Sequence, residues 1–373
     1  MKKYWFFFLF ILSQNSFGLT NQINQANQYL QDYQSYTPYE LNSFIYQNKD
    51  LKDNIQHIEI TKDYDLGNHN DNLRLLKEQY GFEDNSVFDK KLQKIIKKYQ
   101  KKSGLNVTGI LDPVTWMIMY HQPYSWQKEK IENAIQNWNH ILEKNENVQM
   151  IVVNIPSMTL YVYQLNQNGI YQNILTSRVI VGKTSTPTPM HDFYITSLEF
   201  HPTWTPPEDL VKKEFYNHGK LSNQLLQKYH MSIYNSGHQE ISFQEISDKK
   251  GYYIQQKPSP LNALGVLKFE TTSKDSIYLH DTNQHYLFNY NDRLYSSGCV
   301  RVQQYVKLAS ILMNQPVEKI EKMLNQNTDK TFWLKVHRIP VYFDYSQVHF
   351  VNNKPFFYPN VYVNNQNFQT DGE

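Results

Sequence analysis

The sequence predicts an α+β, multi-domain protein with helices in its first third and a β-rich second half. Apolar residues recur at helical spacing between residues 70 and 121, and the period changes to two from about residue 149. The length of 373 residues suits one large domain or two to three ordinary domains. The 29 Tyr, 20 Phe and 6 Trp can bury a substantial core, which excludes a disordered chain.

Residues 1–18 have the pattern of a signal peptide. A basic start precedes the apolar run YWFFFLFIL at residues 4–12, and Ser16 and Gly18 supply the small residues of a cleavage site. The apolar run is too short to span a bilayer, which takes about 20 residues. We therefore expect cleavage after Gly18 and a periplasmic product, with an uncleaved, anchored form as the alternative.

Residues 19–69 are the least informative part of the chain. They are rich in Asn, Gln and Tyr up to residue 40 and mixed thereafter. This composition is typical of a linker, a weak helix or a scaffold segment, and no mechanism follows from it.

Residues 70–124 are predicted to form a small three-helix module. An apolar stripe runs from Phe88 to Tyr99, and Asp112 and Pro113 are typical of a helix N-cap and first helical position. Lysines crowd the central helix: Lys90, Lys91, Lys94, Lys97, Lys98, Lys101 and Lys102. Such a run is either a solvated face or a surface that attracts a polyanion.

The spacing of apolar residues divides the rest of the chain into a helix, a β-rich domain and a tail. Residues 125–148 are predicted as a connecting helix, and residues 149–345 as a β-rich domain with short helices. Within that domain, residues 202–262 are proline-rich and irregular, which predicts an insertion or lid. Residues 346–373 are expected as a C-terminal tail.

Charge and residue counts exclude several kinds of site. The 37 Lys+Arg and 35 Asp+Glu leave a net charge of only +2, whereas binding of nucleic acid needs a strong basic surplus. A single cysteine excludes an internal disulfide and a four-Cys zinc site. His191, His201 and His285 have no partner at ligand spacing, so no metal is predicted. No Gly-rich phosphate loop occurs, and no cofactor is implied.

Cys299 and His280 have the residue types of a thiol nucleophile and its base. A thiol of ordinary pKa is only a few per cent thiolate at pH 7, and an imidazole within hydrogen-bond reach takes its proton. Gly298 allows a substrate carbonyl to approach the backbone, and amide groups around Gly298 and Cys299 would hold the oxyanion.

Two sets of motifs resemble known families. His280 followed by Ser296-Ser297-Gly298-Cys299-Val300-Arg301 resembles the catalytic signature of the L,D-transpeptidases (YkuD-type domain), although Ser297 stands where His is usual. The runs RVIVGKTSTPTPM, HPTWTPP, SPLNALGVLKFE, YLHDT and PVYFDY are similar to segments of the large YcbB-type branch. The run FDKKLQKIIKKYQKKSGLNVTGILDPVTW resembles the peptidoglycan-binding helical module of bacterial wall enzymes, with Thr108 in place of the usual Asp.

The resemblance implies roles for individual residues. Cys299 is implied as the nucleophile and His280 as the general acid/base, oriented by the main-chain carbonyl of Asp281. The Asp281 carboxylate is disfavoured as a third catalytic member, because adjacent residues on a strand point to opposite faces. Gly298 and Ser297 would line the oxyanion and substrate site. Two residues keep open alternatives: Arg301 would meet substrate carboxylates or form a structural ion pair, and Tyr278 would belong to the wall or the core.

The implied activity is formation of 3–3 cross-links between peptidoglycan stem tetrapeptides, with release of D-Ala. The alternatives that use the same acyl-enzyme are an L,D-carboxypeptidase and attachment of a lipoprotein to the wall. An inactive wall-binding protein is a third class, against which the intact His280 and Cys299 argue. The implied partners are stem peptides, the sacculus and, as covalent inhibitors, carbapenems.

Overall fold

A computed structural model of the chain describes residues 18–34, 63–68, 73, 76, 77, 82, 86–102, 105–119, 124–218, 220–246, 251–326, 328–351 and 353–362. The apolar run at residues 4–12 lies outside these residues, as does the whole segment 35–62. In the part of the chain that is described, no helix has the length and apolar character needed to cross a membrane.

The N-terminal segment contains a regular helix. Helix α1 (Leu19–Gln34) packs against a later helix and a C-terminal hairpin. The buried Gln22 side chain accepts a hydrogen bond from Phe350 N at 2.6 Å and donates to Phe350 O at 2.8 Å, as a neighbouring strand would. Residues 19–34 are therefore part of the folded body, whereas composition alone favoured a linker or weak helix.

The lysine-rich module contains helices α2 (Lys90–Lys102) and α3 (Pro113–Met119). Asp89 caps α2 through its bond from Leu92 N at 2.8 Å, because side-chain oxygens satisfy the free amides of a first turn. Asp112 caps α3 in the same way. The apolar stripe of α2 closes a small core with residues of α3 and of the preceding segment, among them Leu73, Leu76, Phe88, Leu92, Ile96, Leu111 and Trp116.

Helix α4 (Tyr124–Lys144) follows and leads into the β-rich domain. The strands of its main sheet are β1 (Gln149–Asn154), β2 (Thr159–Leu165), β3 (Tyr171–Gly182), β4 (Phe193–Phe200), β10 (Leu267–Thr271), β11 (Leu279–His280), β12 (Leu294–Ser296), β13 (Val300–Val302) and β14 (Phe332–Asp344). Within the described residues the strand order is β12-β3-β13-β11-β10-β4-β14-β1-β2. Because β2 also pairs with β3, the sheet curves round and closes on itself.

Alternation along these strands determines the core. Inward residues such as Val179, Leu198, Phe269 and Val300 are buried together, and the intervening residues face outward. Helices α7 (Tyr305–Met313) and α8 (Val317–Leu324) contribute Leu308, Ala309, Leu312 and Ile320 to the same cluster. On β10 and β13 this alternation separates an apolar interior from an outer face with polar side chains, whereas the outer face of β1 and β2 is covered by a second apolar cluster.

Residues 202–262, expected as an insertion or lid, form a unit with its own small core. It contains α5 (Glu208–Glu214), β5 (Tyr216–Asn217), β6 (Lys220–Leu221), α6 (Asn223–Lys228), β7 (Met231–Asn235), β8 (Glu240–Ile241) and β9 (Tyr252–Gln256). The last three strands pair in the order β8-β7-β9. Phe215, Leu226, Ile233 and Ile254 pack together in this unit, separately from the main core.

The segment expected as a C-terminal tail contains two strands and a buried tyrosine among its described residues. Strands β15 (Val348–Val351) and β16 (Lys354–Phe357) form a hairpin whose Phe350 is buried beneath α1. Tyr362 is 1% exposed and packs against the main core. The expectation of a tail was wrong for this stretch, because its aromatic residues are needed to cover the sheet.

Candidate active site

Two adjacent strands bring the predicted catalytic residues together. Strands β11 and β13 are parallel neighbours, and their register pairs His280 with Arg301. Cys299 immediately precedes β13. A span of nineteen residues in sequence is thus folded into a contact between two neighbouring strands.

His280 is held in one tautomer by the backbone. The side chain is buried, and its Nδ1 lies 2.5 Å from the carbonyl oxygen of Asp281, the group expected to orient the ring. A carbonyl can only accept, so Nδ1 carries the proton and Nε2 keeps a free lone pair. Burial, together with the positive charges of Arg301 and Lys268, lowers the pKa of His280 to about 3. The imidazole is therefore neutral, and basic at Nε2, at neutral pH.

Cys299 is a protonated thiol at rest. The residue is partly exposed, and its Sγ donates to the Ser276 carbonyl oxygen at 3.7 Å. Burial raises the pKa of the thiol, whereas the Tyr278 backbone and the charges of Lys268 and Arg301 act in the opposite direction. Since the imidazole is also neutral, the pair is a thiol and a base rather than a preformed ion pair.

The turn before Cys299 differs from the expectation in one respect. Ser296 Oγ accepts a hydrogen bond from Gly298 N at 3.1 Å and donates to Cys299 O at 2.5 Å. The Gly298 amide is therefore already used, and the expectation that it holds an oxyanion does not fit this geometry. The Cys299 amide donates to no acceptor among the described residues. Ser297 is exposed beside it.

Gly298 needs the backbone freedom of glycine. Its φ is +117°, a conformation that residues with a Cβ rarely adopt. A Cβ there would also lie 3.2 Å from Ile277 Cδ1. The turn that presents Cys299 therefore depends on this glycine for its shape.

A second layer of hydrogen bonds supports this turn. The buried Thr188 donates through Oγ1 to Gly298 O at 2.7 Å and accepts from Gly182 N at 2.9 Å. Tyr362 OH donates to Gly182 O at 3.0 Å and accepts from Thr188 N at 3.1 Å. Neither Thr188 nor Tyr362 was a candidate from the sequence, because both act through backbone groups far away in the chain.

The Asp281 carboxylate has a structural role distinct from that of its carbonyl. It accepts from Val266 N at 3.0 Å, and its other oxygen lies 2.8 Å from His285 Nε2. This contact with Asp281 raises the pKa of His285. The carboxylate thus holds the loop around Gly265 and Val266 against β11.

Arg301 contacts neutral acceptors in the part of the chain that is described. Its guanidinium donates to Gln284 Oε1 at 2.8 Å and to Thr282 Oγ1 at 3.4 Å. Its Nε is buried without a hydrogen-bond partner. Burial lowers the pKa of Arg301, but a guanidinium remains charged at neutral pH. A buried cation without an acidic partner favours the interpretation of Arg301 as a binder of carboxylates.

Sequence reasoning missed Lys268 and its two acids. Lys268 Nζ lies 3.1 Å from Glu199 Oε2, 2.5 Å from Glu270 Oε1 and 4.0 Å from the centre of the Tyr278 ring. Apolar alternation at Leu267 and Phe269 predicts that Lys268 and Glu270 share a face. No local signal predicts Glu199, which reaches Lys268 only through the pairing of β4 with β10.

The other histidines do not form a ligand set. His191 Nε2 lies 3.6 Å from Asp275, and His201 lies beside the Phe332 ring. Across the described ranges, no group of three or more His, Cys, Asp or Glu side chains is arranged to hold a metal ion.

Comparison with known proteins adds a domain assignment to this geometry. Residues 149–323 match the family model described as "L,D-transpeptidase catalytic domain" (YkuD), and residues 73–119 match the model described as "Putative peptidoglycan binding domain". A Haemophilus influenzae protein named "Putative L,D-transpeptidase" is 37% identical over 170 residues, which are 44% of this chain and 34% of that protein. The chain thus spans about a third of the length of this curated relative.

Solved structures show lower similarity. A mutant L,D-transpeptidase of Enterococcus faecium is 12% identical with a TM-score of 0.25, covering 53% of this chain and 50% of that chain. An L,D-transpeptidase in complex with imipenem is 14% identical with a TM-score of 0.22, covering 53% of this chain and 59% of that chain.

Proposed function

We propose that this chain, whose residues 149–323 form a YkuD-type L,D-transpeptidase catalytic domain, cross-links peptidoglycan stem peptides through a thioester on Cys299. The observation that carries the proposal is the pairing of a neutral, oriented His280 with Arg301 on the strand that Cys299 precedes. The peptidoglycan-binding domain at residues 73–119 supports the same class of substrate.

The first half-reaction breaks the peptide bond before the terminal D-Ala. His280 Nε2 takes the Cys299 proton as the sulfur attacks the carbonyl carbon of the L-centre residue. The oxyanion forms beside the Cys299 amide, which donates to no acceptor among the described residues. D-Ala then leaves with the proton that His280 returns, and the tripeptide remains on the sulfur as a thioester.

Proton transfer accompanies the attack in this scheme. With a thiol whose pKa is raised and a base whose pKa is about 3, a thiolate–imidazolium pair is scarce in the free protein. The Cys299 sulfur also contacts Ser276 rather than the imidazole. Substrate binding is therefore expected to bring thiol and base into line, as often occurs between free and substrate-bound enzymes.

The second half-reaction transfers the tripeptide to an amine. The side-chain amine of a neighbouring stem attacks the thioester carbonyl, forms the 3–3 amide bond and returns the thiol. Attack by water would instead make a carboxypeptidase, and attack by a lipoprotein amine would attach that protein to the wall. Arg301 is proposed to bind a stem-peptide carboxylate, since its buried Nε has no partner among the described residues.

We further propose that the protein is exported to the periplasm and that carbapenems inhibit it. The basic and apolar start of residues 1–18 supports export to the periplasm, where this substrate lies. Carbapenems are proposed as covalent inhibitors, because the thiol of Cys299 would open their lactam ring as it attacks the stem peptide.

The test is to incubate the purified protein with disaccharide-tetrapeptide and to identify the products by mass. A tetrapeptide–tripeptide dimer and free D-Ala are expected. Tripeptide alone would favour the carboxypeptidase, and unchanged tetrapeptide would contradict both. Cys299→Ala is the control, and every product should disappear in that variant.

A further inference from the structure

A row of side chains crosses the outer face of the sheet through the proposed site. The register pairs Trp333 of β14 with Glu199, Glu199 with Lys268, Lys268 with His280, and His280 with Arg301. Their apolar neighbours along each strand belong to the core, so all five residues share the opposite face. His280 is consequently flanked in the sheet by two cationic residues.

Lys268 is fixed in this row. Its ammonium bridges Glu199 and Glu270 at 3.1 and 2.5 Å, and its side chain is only 12% exposed. Burial acts to lower the pKa of Lys268, but the bonds and charges of the two acids outweigh it and raise the pKa. The residue therefore stays charged. A buried charge needs such partners, because the desolvation of an ammonium is costly.

How far Glu199 and Glu270 offset the charge of Lys268 depends on the ionisation of Glu199. Glu199 is enclosed with its side chain 6% exposed, and burial raises its pKa to about 7 despite the nearby lysine. Burial therefore favours the neutral form of Glu199, and the charge of Lys268 opposes this effect. The balance between one ammonium and two carboxyl groups then depends on the state of this single buried acid.

Tyr278 links Lys268 to the nucleophile. Its ring lies under the ammonium, with 4.0 Å between Nζ and the ring centre. Its carbonyl accepts from Val300 N at 3.0 Å, directly after Cys299. The ammonium thus lies over the residue whose backbone flanks Cys299, in a partly buried region where charges are weakly screened.

We propose that Lys268 is a positioning residue of the reaction: a fixed positive charge that stabilises the anionic sulfur of Cys299, with Glu199 moderating its strength. This role rests on the proposed use of Cys299 as nucleophile. The neutral His280 supplies no resting positive charge to the thiolate, so Lys268 and Arg301 supply it instead.

Other charged and titratable groups surround the pair and are part of the same balance. They are Glu270 on β10, Glu199 on β4, Arg301 on β13, Tyr278 before β11, and Asp281, His285 and Tyr286 after it. Asp281 and His285 lie 2.8 Å apart, and this contact raises the pKa of His285. The titration of His285 is common to the wild type and the variants, so the differences between them report on the row on β4, β10 and β13.

The experiment measures the rate of alkylation of Cys299 by iodoacetamide between pH 6 and 10.5. Cys299 is the single cysteine of the 373 residues, so the whole signal comes from this thiol. Lys268→Met should move the alkylation profile up by about 0.5 to 1 pH unit, because the two acids remain without their counter-charge. Lys268→Arg keeps the charge and should stay near the wild-type profile.

Glu199→Gln should move the profile in the opposite direction. It removes a negative charge near Lys268, so the thiolate is favoured and the profile moves to lower pH. Opposite signs for Lys268→Met and Glu199→Gln distinguish an electrostatic role from a structural one, since lost packing would alter thermal stability without this reversal. If Lys268→Met does not fold, the direction of the Glu199→Gln shift decides.

An unchanged profile in Glu199→Gln, or equal shifts in Lys268→Met and Lys268→Arg, would overturn the proposal. Neither outcome tests the proposed reaction with peptidoglycan, because iodoacetamide alkylates the thiol without any peptide substrate. Failure of the proposed function would instead appear as unreacted tetrapeptide with an intact thiol profile.

Discussion

At the scale of single residues, the two reactive side chains rest uncharged. Burial, together with two nearby cations, keeps His280 neutral, and burial raises the pKa of Cys299. A group whose pKa is about 3 is fully in its base form at neutral pH, so His280 does not limit the rate as the pH falls from 7 to 5. The rate should instead rise with pH as the thiol ionises.

Replacing His280 tests its role as the base. His280→Ala should lose about 10²–10⁴-fold in kcat/KM at pH 7. The deficit should shrink toward pH 10, because hydroxide then removes the thiol proton that the imidazole normally accepts. Measurement of kcat/KM for tetrapeptide across this range gives both quantities.

His285→Gln is the matched histidine variant, since His285 is half exposed and pairs with Asp281. It should keep most of the activity. Two results would contradict His280 as the base. One is a loss of kcat/KM in His285→Gln as large as that in His280→Ala, and the other is a loss in His280→Ala that does not vary with pH.

At the scale of elements, the turn from Ser296 to Cys299 depends on distant segments. Thr188 holds Gly298 O and Gly182 N, and Tyr362 holds both the Thr188 amide and Gly182 O. The Cys299 amide that would meet the oxyanion is therefore aligned by residues on a loop after β3 and near the C-terminus.

Thr188→Val should separate support of this turn from simple packing. Loss of the hydroxyl leaves a buried carbonyl and a buried amide unpaired, which costs about 1–3 kcal/mol of unfolding free energy. Acylation by imipenem should slow by about tenfold or more as the oxyanion donor loses alignment. Thr188→Ser keeps the hydroxyl and should react nearly as fast as wild type. Equal acylation rates in Thr188→Val and wild type would show that the Thr188 hydroxyl does not align the oxyanion donor.

The sequence predicted elements and sites to different extents, for physical reasons. Period-two alternation marks a strand such as β10, because one of its faces is buried, whereas β2 is buried on both faces. His280 and Cys299 could be predicted from the sequence because their motif is local. Lys268, Glu199 and Thr188 could not, because their partners lie on other strands or turns and only the register brings them together. The occupied Gly298 amide likewise depends on a rotamer of Ser296 that no pattern encodes.

At the scale of the whole molecule, the helical module is joined to the loop that leads to the nucleophile. Asn106 donates through Nδ2 to Asn289 O at 2.6 Å and through its backbone N to Asn291 Oδ1 at 3.1 Å. Asn291 Nδ2 donates in turn to Asp112 at 2.9 Å. Next along the same loop, Arg293 donates to five backbone carbonyl oxygens. The module is thus hydrogen-bonded to the loop that precedes the turn of Cys299.

The exposed lysines of α2 are the proposed contact with the sacculus. Stem-peptide carboxylates should be attracted to them, and the attraction should weaken with salt. Changing Lys94, Lys97, Lys98 and Lys101 to Gln should reduce pelleting with insoluble sacculi while soluble muropeptides still turn over. The matched control changes four exposed lysines of the β-rich domain to Gln: Lys307, Lys319, Lys322 and Lys330.

If the two quadruple variants pellet equally, or if binding does not respond to salt, the lysines of α2 do not bind the sacculus and are only a solvated face. The module would then act only as a scaffold for the loop it touches through Asn106.

Intact-protein mass measurement shows whether Cys299 carries the tripeptide as a thioester. After brief exposure to disaccharide-tetrapeptide and acid quenching, the wild-type protein should gain the mass of the muropeptide less D-Ala. Cys299→Ala should fold, because the change in volume is small, and should gain nothing. The same adduct on Cys299→Ala, or release of D-Ala by that variant, would contradict the account.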